Sequence, residues 1–305
     1  MAVVAVVVVA NYAESHPDLR VVAYIAQGFI ALLGGLLGLA NALLVTGATR
    51  RSYAGAAVAV ISIPLAIAVM MPVARQALAR LVKEFNPASS VNAVAASLYI
   101  VVFMEQLSSQ VSVDQIATLS QVKSSPSLPF LLATNQLPMV IVAAAGVGLL
   151  MRRGLRPAMD RLGLFWPGWR WIGASVGVAV GLIIFGVAFD RLMSVATPQT
   201  SQSIQEITNQ LLKSVNSYGA LVALALGAGI GEELLFRGAL LPRFGNVLTS
   251  LLFAALHTQY GVTLATLEIF ILGLVLGWLR RRAGTTGCII THTLYDIVAG
   301  IGLVH

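Results

Sequence analysis

Long apolar runs, almost free of charge, restrict what this chain can fold into. An α-helix rises 1.5 Å per residue, so about 20 apolar residues cross the hydrocarbon core of a bilayer. The runs predict an all-α fold, a polytopic transmembrane helical bundle with about eight or nine helices at membrane depth. The runs cover residues 21–45, 53–73, 91–104, 128–151, 171–192, 218–241, 247–257, 262–279 and 286–304.

The composition agrees with a membrane protein and argues against a nucleic-acid binder. Hydrophobic residues make up 58% of the 305 residues and charged residues only 10%, which is outside the range of soluble domains. The net charge is +7, but the arginines form short clusters between apolar runs, as in membrane proteins. Membrane lipid is therefore an expected partner and nucleic acid is not. Cys288 is the single cysteine, so no intrachain disulfide can form.

The segments between the clear runs differ in character. Basic and apolar residues alternate in a helical rhythm over residues 74–85, which predicts either a helix at the membrane surface or a solvated helix. Residues 105–127 and 193–217 are polar and are interpreted as loops. The short run 91–104 fits a third span or a re-entrant piece. Residues 247–257 are too few to cross a bilayer, so we expect them to be buried among other helices.

Basic clusters predict the orientation. Residues 152–161, Arg237 with Arg243, and residues 280–282 recur after every second span and are placed on the cytoplasmic side. The loop 193–217 is then outside. Arg50 and Arg51 fit this scheme less well if residues 74–85 are also cytoplasmic, so the two assignments conflict.

Ionisable residues are concentrated inside the apolar C-terminal third. Each charged side chain at bilayer depth costs roughly 2.5–3.5 kcal/mol on insertion scales, so the group predicts a functional site. We therefore divide the chain into an N-terminal transmembrane region, 1–217, and a catalytic transmembrane core, 218–305. The candidate site residues are Glu232, Glu233, Arg237, His257, His292 and Asp296.

Helical rise places three of these residues at one depth. Glu232 lies ten residues before Pro242, and His292 lies ten residues after Arg282, each about 15 Å from a cytoplasmic end. His257 is about 16 Å in on the same rule. This depth is near the middle of a hydrocarbon core about 30 Å thick, so the groups are expected to meet.

Spacing within each helix predicts contacts. Glu233 and Arg237 are four residues apart and can form a pair, whereas Glu232 is turned by about 100° and faces another partner. Phe253 lies one turn before His257 and can pack on its ring. His292 and Asp296 also share a face. The predicted converging set holds two imidazoles and two carboxylates, which can bind a metal or polarise a water: Glu232, His257, His292 and Asp296.

The three motifs resemble those of one membrane protease family. The chain has Glu232-Glu233-x-x-x-Arg237, then Phe253-x-x-x-His257, then His292-x-x-x-Asp296. In this order, on apolar helices, they resemble the CPBP family (CAAX prenyl protease 2 and Abi proteins), whose pattern is Glu-Glu-x-x-x-Arg, Phe-x-x-x-His and His-x-x-x-Asn/Asp. The similarity covers about residues 220–302.

The resemblance implies an intramembrane endopeptidase of the plasma (inner) membrane of a prokaryote, with its site towards the cytoplasmic half. Its substrate is then a peptide or a membrane protein. By this resemblance Glu232 activates the hydrolytic water, Glu233 and Arg237 support it, and the remaining site residues, His257, His292 and Asp296, complete the site.

The resemblance leaves metal dependence open, because the family is described both as metalloproteases and as glutamate-type enzymes. Asp296 adds a negative charge where many relatives have Asn, which makes a Zn²⁺ site and a metal-free site equally compatible with the sequence. The candidate metal ligands are His257, His292, Asp296 and Glu232.

Two other classes of function remain. A catalytically silent scaffold or chaperone-like protein can keep the same polar groups for folding, with Glu233–Arg237 as a structural ion pair. A proton-coupled transporter also buries carboxylates and histidines. A transporter is expected to show repeated halves with interrupted helices in both, whereas the chain has one site in one half.

Overall fold

The apolar runs are helical in the structure, a computed structural model that describes residues 1–45, 50–112, 127–211, 215, 217–257 and 262–301. The N-terminal helices are α1 (Ala2–Tyr12), α2 (Leu19–Ala40, extended by a π-helical turn, Asn41–Val45), α3 (Arg50–Ala68), α4 (Pro72–Leu81) and α5 (Ser90–Ser112). The middle helices are α6 (Leu128–Gly146), α7 (Leu155–Leu162), α8 (Trp169–Ala196) and α9 (Pro198–Leu211). The last three are α10 (Tyr218–Glu233, continued by a π-helical segment, Leu234–Leu240), α11 (Leu241–Ala255) and α12 (Leu264–Gly300).

The described part of the chain is helical, and its long apolar helices fit an integral membrane protein. Within the described ranges, six helical stretches are long and apolar enough to cross a bilayer: Leu19–Leu43, Arg50–Ala68, Ser90–Ser109, Leu128–Gly146, Trp169–Ala196 and Tyr218–Ala255. The predicted number of eight or nine helices at membrane depth is not confirmed. One reason is that separate apolar runs join into single long elements, as the last two runs do in α12.

The two segments interpreted as polar loops are partly helical. The loop expected to begin at residue 105 begins later, because α5 continues to Ser112, and residues 113–126 lie outside the described residues. In the loop expected at 193–217, α8 continues to Ala196 and α9 follows. The prediction was wrong there because polar composition does not prevent a helix that has an apolar face. Ile204 of α9 is buried against Met193 and Ala265.

The other short segments form helices as well. The run 91–104 lies inside the 23-residue α5, which is long enough to span. Residues 74–85 begin in α4, which has no buried residue, so it is a peripheral helix. The run 247–257 is covered by α11, whose residues Leu252, Phe253 and Ala254 are buried, as predicted.

The helices form two groups that pack against each other. Helices α2, α3 and α5 contact one another, and α12 contacts α8, α10 and α11. The groups also meet, since the Tyr99 hydroxyl donates to the Leu248 carbonyl at 2.9 Å and Arg243 Nε donates to Asn92 Oδ1 at 3.0 Å. The C-terminal group is therefore supported by the N-terminal one.

Two glycines break the C-terminal helices. Gly245 has φ +71° and Gly284 has φ +70°, in the left-handed region that glycine adopts without a steric penalty. At the second break the Thr285 amide donates to the Gly163 carbonyl at 2.9 Å, so the bend is bonded to the segment between α7 and α8. The second half of α12, which carries His292 and Asp296, starts from this bend.

Candidate active site

Glu233 is the most deeply placed charge of the site. Its Oε1 accepts a hydrogen bond from Arg237 Nη1 at 2.9 Å and lies 2.7 Å from His292 Nδ1. The side chains of Glu233 and Arg237 are 0% and 1% exposed. A buried carboxylate with two such partners is compensated, and removing either partner leaves an uncompensated charge.

Arg237 joins three helices. Besides its bond to Glu233, its Nη2 donates to the Gly273 carbonyl of α12 at 3.3 Å. The guanidinium lies 4.5 Å from the centre of the Phe253 ring of α11, a cation–π contact. The predicted Glu233–Arg237 pair is therefore present, and it also fixes α10 against α11 and α12.

His292 lies between two carboxylates. Its Nδ1 faces Glu233, and its Nε2 is 3.5 Å from Asp296 Oδ2, one turn further along α12. When both ring nitrogens carry a proton, the imidazolium donates to one carboxylate on each side. The arrangement holds the ring in one orientation and links α10 to α12.

His257 is oriented by its own helix. Its Nδ1 is 2.8 Å from the Phe253 carbonyl, which only a protonated nitrogen can donate to. The two rings pack with their centres 4.8 Å apart, as the spacing predicted, and the Phe253 ring also lies 6.1 Å from that of His292. Phe253 thus positions both imidazoles. Residues 258–261, which follow His257, lie outside the described residues.

Glu232 is half-buried and has a different environment from Glu233. Its Oε2 is buried, and no described group forms a hydrogen bond with it. Its charge acts on both His292 and Asp296. An unsatisfied buried oxygen costs about 1–3 kcal/mol, more for a charged group, so it offers an acceptor to a water or a substrate.

The contacts differ from the sequence-based arrangement in one respect. From the turn per residue of a regular helix, Glu232 was expected to face the histidines and Glu233 to contact Arg237 alone. In the structure Glu233 contacts His292 directly, while Glu232 interacts with the His292–Asp296 pair through its charge. One oxygen of Glu233, Oε1, therefore contacts both Arg237 and His292.

A cavity of about 550 Å³ opens beside these groups, lined by His257, His292 and Asp296. It also contains three polar side chains of α8 and α12 to which the sequence analysis gave no role: Asp190, Glu268 and Tyr295. The sequence does point to Glu268 as a candidate, since it is an acid inside the apolar run 262–279. Helix α9 covers the cavity with Ser201, Gln205, Thr208 and Asn209.

The described side chains do not fit a metal site. Among them, no three His, Cys, Asp or Glu residues converge closely enough to hold one ion. A zinc site in a protein takes at least three such ligands. We therefore derive no step through a metal.

The site and its setting define a class: a polytopic membrane protein with a buried glutamate–histidine centre. Residues 214–298 match the family model described as Type II CAAX prenyl endopeptidase Rce1-like. This match confirms, for that segment, the CAAX protease family predicted from the motifs.

The curated relative that matches the chain supplies no function for it. An "Uncharacterized 24.3 kDa protein" of Escherichia coli is 28% identical over 172 residues, which cover 52% of this chain and 73% of that protein. No solved structure matches the chain.

Proposed function

We propose that the protein is an intramembrane endopeptidase that hydrolyses a peptide bond of a membrane-associated or peptide substrate. Glu232 activates the attacking water. The observation that carries this proposal is the buried Oε2 of Glu232, with which no described group forms a hydrogen bond. It lies in the segment that matches the CAAX endopeptidase family.

The reaction follows from the arrangement of these side chains. Glu232 takes a proton from water, the water oxygen attacks the carbonyl carbon, and the same proton passes to the leaving amine. His257 donates its Nδ1 proton to the Phe253 carbonyl, so its Nε2 donates to the oxyanion only when the ring carries a second proton. Glu233 and Arg237 hold His292 in place, and Asp296 supports its other nitrogen.

In this proposal the chemistry needs no Zn²⁺. The zinc reading of the sequence required His257, His292, Asp296 and Glu232 as ligands around one ion. Among the described residues, no three such ligands lie together. Membrane lipid surrounds the bundle, and we place the protein in the inner membrane with its arginine clusters on the cytoplasmic side.

Cleavage by the purified protein in lipid discs tests the proposal. The substrates are prenylated C-terminal peptides, leader peptides and membrane-protein tails, with products identified by mass spectrometry. We expect Glu232→Gln to lower the rate by about 10²–10⁴-fold while the protein stays folded, because only the base is lost. Glu105→Gln is the matched control, since it removes a carboxyl from α5 outside the site. Full turnover by Glu232→Gln would remove Glu232 as the base, and a wild-type protein that cleaves nothing would favour the scaffold.

A further inference from the structure

A second pair of carboxylates lies in the cavity that His257, His292 and Asp296 line. Glu268, on the first half of α12, is only 8% exposed and yet lines the cavity. Asp190, near the end of α8, lines it too and is exposed, so it stands at the rim. The charge of Asp190 acts on Glu268. The proposed catalysis uses neither residue.

No described cation balances these two acids. The ion pairs among the described residues are Arg237–Glu233, His292–Glu233 and His292–Asp296. The cavity is also lined by uncharged polar groups, including Gln205, Thr208 and Asn209 of α9. A carboxylate held inside a membrane protein without a counter-charge is costly, and a cation that enters the cavity removes that cost.

Tyr295 connects this end of the cavity with the catalytic end. It lies on α12 between His292 and Asp296, and its hydroxyl donates to Glu268 Oε1 at 3.5 Å. Glu268 is therefore one tyrosine side chain away from the helix turn that carries the proposed site. An extended peptide advances about 3.3–3.6 Å per residue, so both places lie within reach of neighbouring residues of one substrate.

We propose that Glu268 and Asp190 form a subsite for a basic side chain, Lys or Arg, located within a few residues of the bond to be cleaved. Asp190 attracts the cation at the rim, and Glu268 pairs with it in the buried part of the cavity. The subsite rests on the proposed peptidase function, since it selects among peptide substrates for that site.

A binding measurement tests the subsite without requiring cleavage. The protein carries Glu232→Gln to prevent turnover. The probes are fluorescent apolar peptides of about 20 residues, each with one lysine that is moved one position at a time, and their norleucine counterparts. We expect one or two lysine positions to lower the Kd by about tenfold or more against norleucine. Adding Glu268→Gln should abolish this preference, and Asp190→Asn should weaken it. Adding Glu105→Gln, which removes a carboxyl elsewhere, should leave it intact.

Each outcome bears on one of the two proposals. Equal Kd values for every lysine and norleucine pair would overturn the subsite, as would a preference that survives both Glu268→Gln and Asp190→Asn. If Glu268→Gln does not fold, Asp190→Asn at the exposed rim still decides the matter. Lysine-dependent binding with no cleavage by the Glu232-containing protein would overturn the peptidase and leave the subsite standing. Cleavage without any preference for lysine would overturn the subsite and leave the peptidase standing.

Discussion

At the scale of single residues, Arg237 shows how one buried cation serves structure and chemistry together. It neutralises Glu233, donates to the Gly273 carbonyl and packs on Phe253. Glu233 in turn orients His292. Positioning of the proposed site therefore depends on this buried pair.

We expect Arg237→Met to lower the free energy of unfolding by about 3–5 kcal/mol, because it leaves Glu233 buried without its cation. The double variant Glu233→Gln/Arg237→Met should recover much of this loss, since no buried charge remains. Unfolding in detergent, followed by circular dichroism, measures both. Arg281→Met, which changes an exposed arginine, is the control. Equal stability of Arg237→Met and wild type would contradict the assignment.

A substitution of the single residue Asp296 distinguishes the metal-free mechanism from a zinc-dependent one. In the metal-free proposal Asp296 only supports His292, so Asp296→Asn should retain most activity, and chelation should not reduce the rate. Metal analysis before and after chelation accompanies the rate measurement. Loss of activity on chelation, restored by Zn²⁺ and weakened in Asp296→Asn, would establish the metal site instead.

At the scale of elements, departures from the regular helix shape the site. The π-helical segment Leu234–Leu240 begins directly after Glu233, and such segments often accompany functional sites. It shifts the phase of the helix between the two glutamates and α11. The break at Gly284 likewise redirects α12 before it delivers His292.

Gly284→Ala should destabilise the protein by about 1–2 kcal/mol from backbone strain alone, because an L-residue disfavours left-handed φ. The added methyl would also lie 2.6 Å from the Gly163 carbonyl oxygen, which increases the loss. Gly177→Ala in α8 is the matched control, since no other atom lies within 4 Å of its added methyl. That control should be neutral or stabilising by up to about 1 kcal/mol. Thermal unfolding of both variants measures the difference, and equal melting temperatures would contradict the strain at Gly284.

At the scale of the whole molecule, arginines gather at one end of the C-terminal helix group. Arg161 Nη1 donates to the Gly238 carbonyl at 3.2 Å, and Arg280 Nε donates to the Arg237 carbonyl at 3.2 Å. Burial, followed by repulsion from Arg153 and other arginines, lowers the pKa of Arg161 to about 10, so it remains charged at neutral pH. Helix α8 rises about 42 Å along its 28 residues, which places α9 at the opposite end.

This arrangement predicts that the two ends label from opposite sides of the membrane. Arg281→Cys, next to the arginine cluster, should react with an impermeant thiol reagent only from the cytoplasmic side. Gln202→Cys on α9 should react only from outside. Both positions are exposed, whereas the native Cys288 is fully buried and gives little background. Labelling of both from one side would contradict the orientation.

The sequence alone determined the local features of this protein. Membrane-length helices, the Glu233–Arg237 pair and the Phe253–His257 contact all depend on residues within one helix, where periodicity and four-residue spacing specify proximity. Tertiary structure decided the rest. The Glu233–His292 bond joins residues 59 positions apart, and the cavity combines Asp190, Glu268 and Tyr295 from separate parts of the chain. Those contacts depend on π-helical phase, glycine bends and helix packing, which regular helical spacing does not encode.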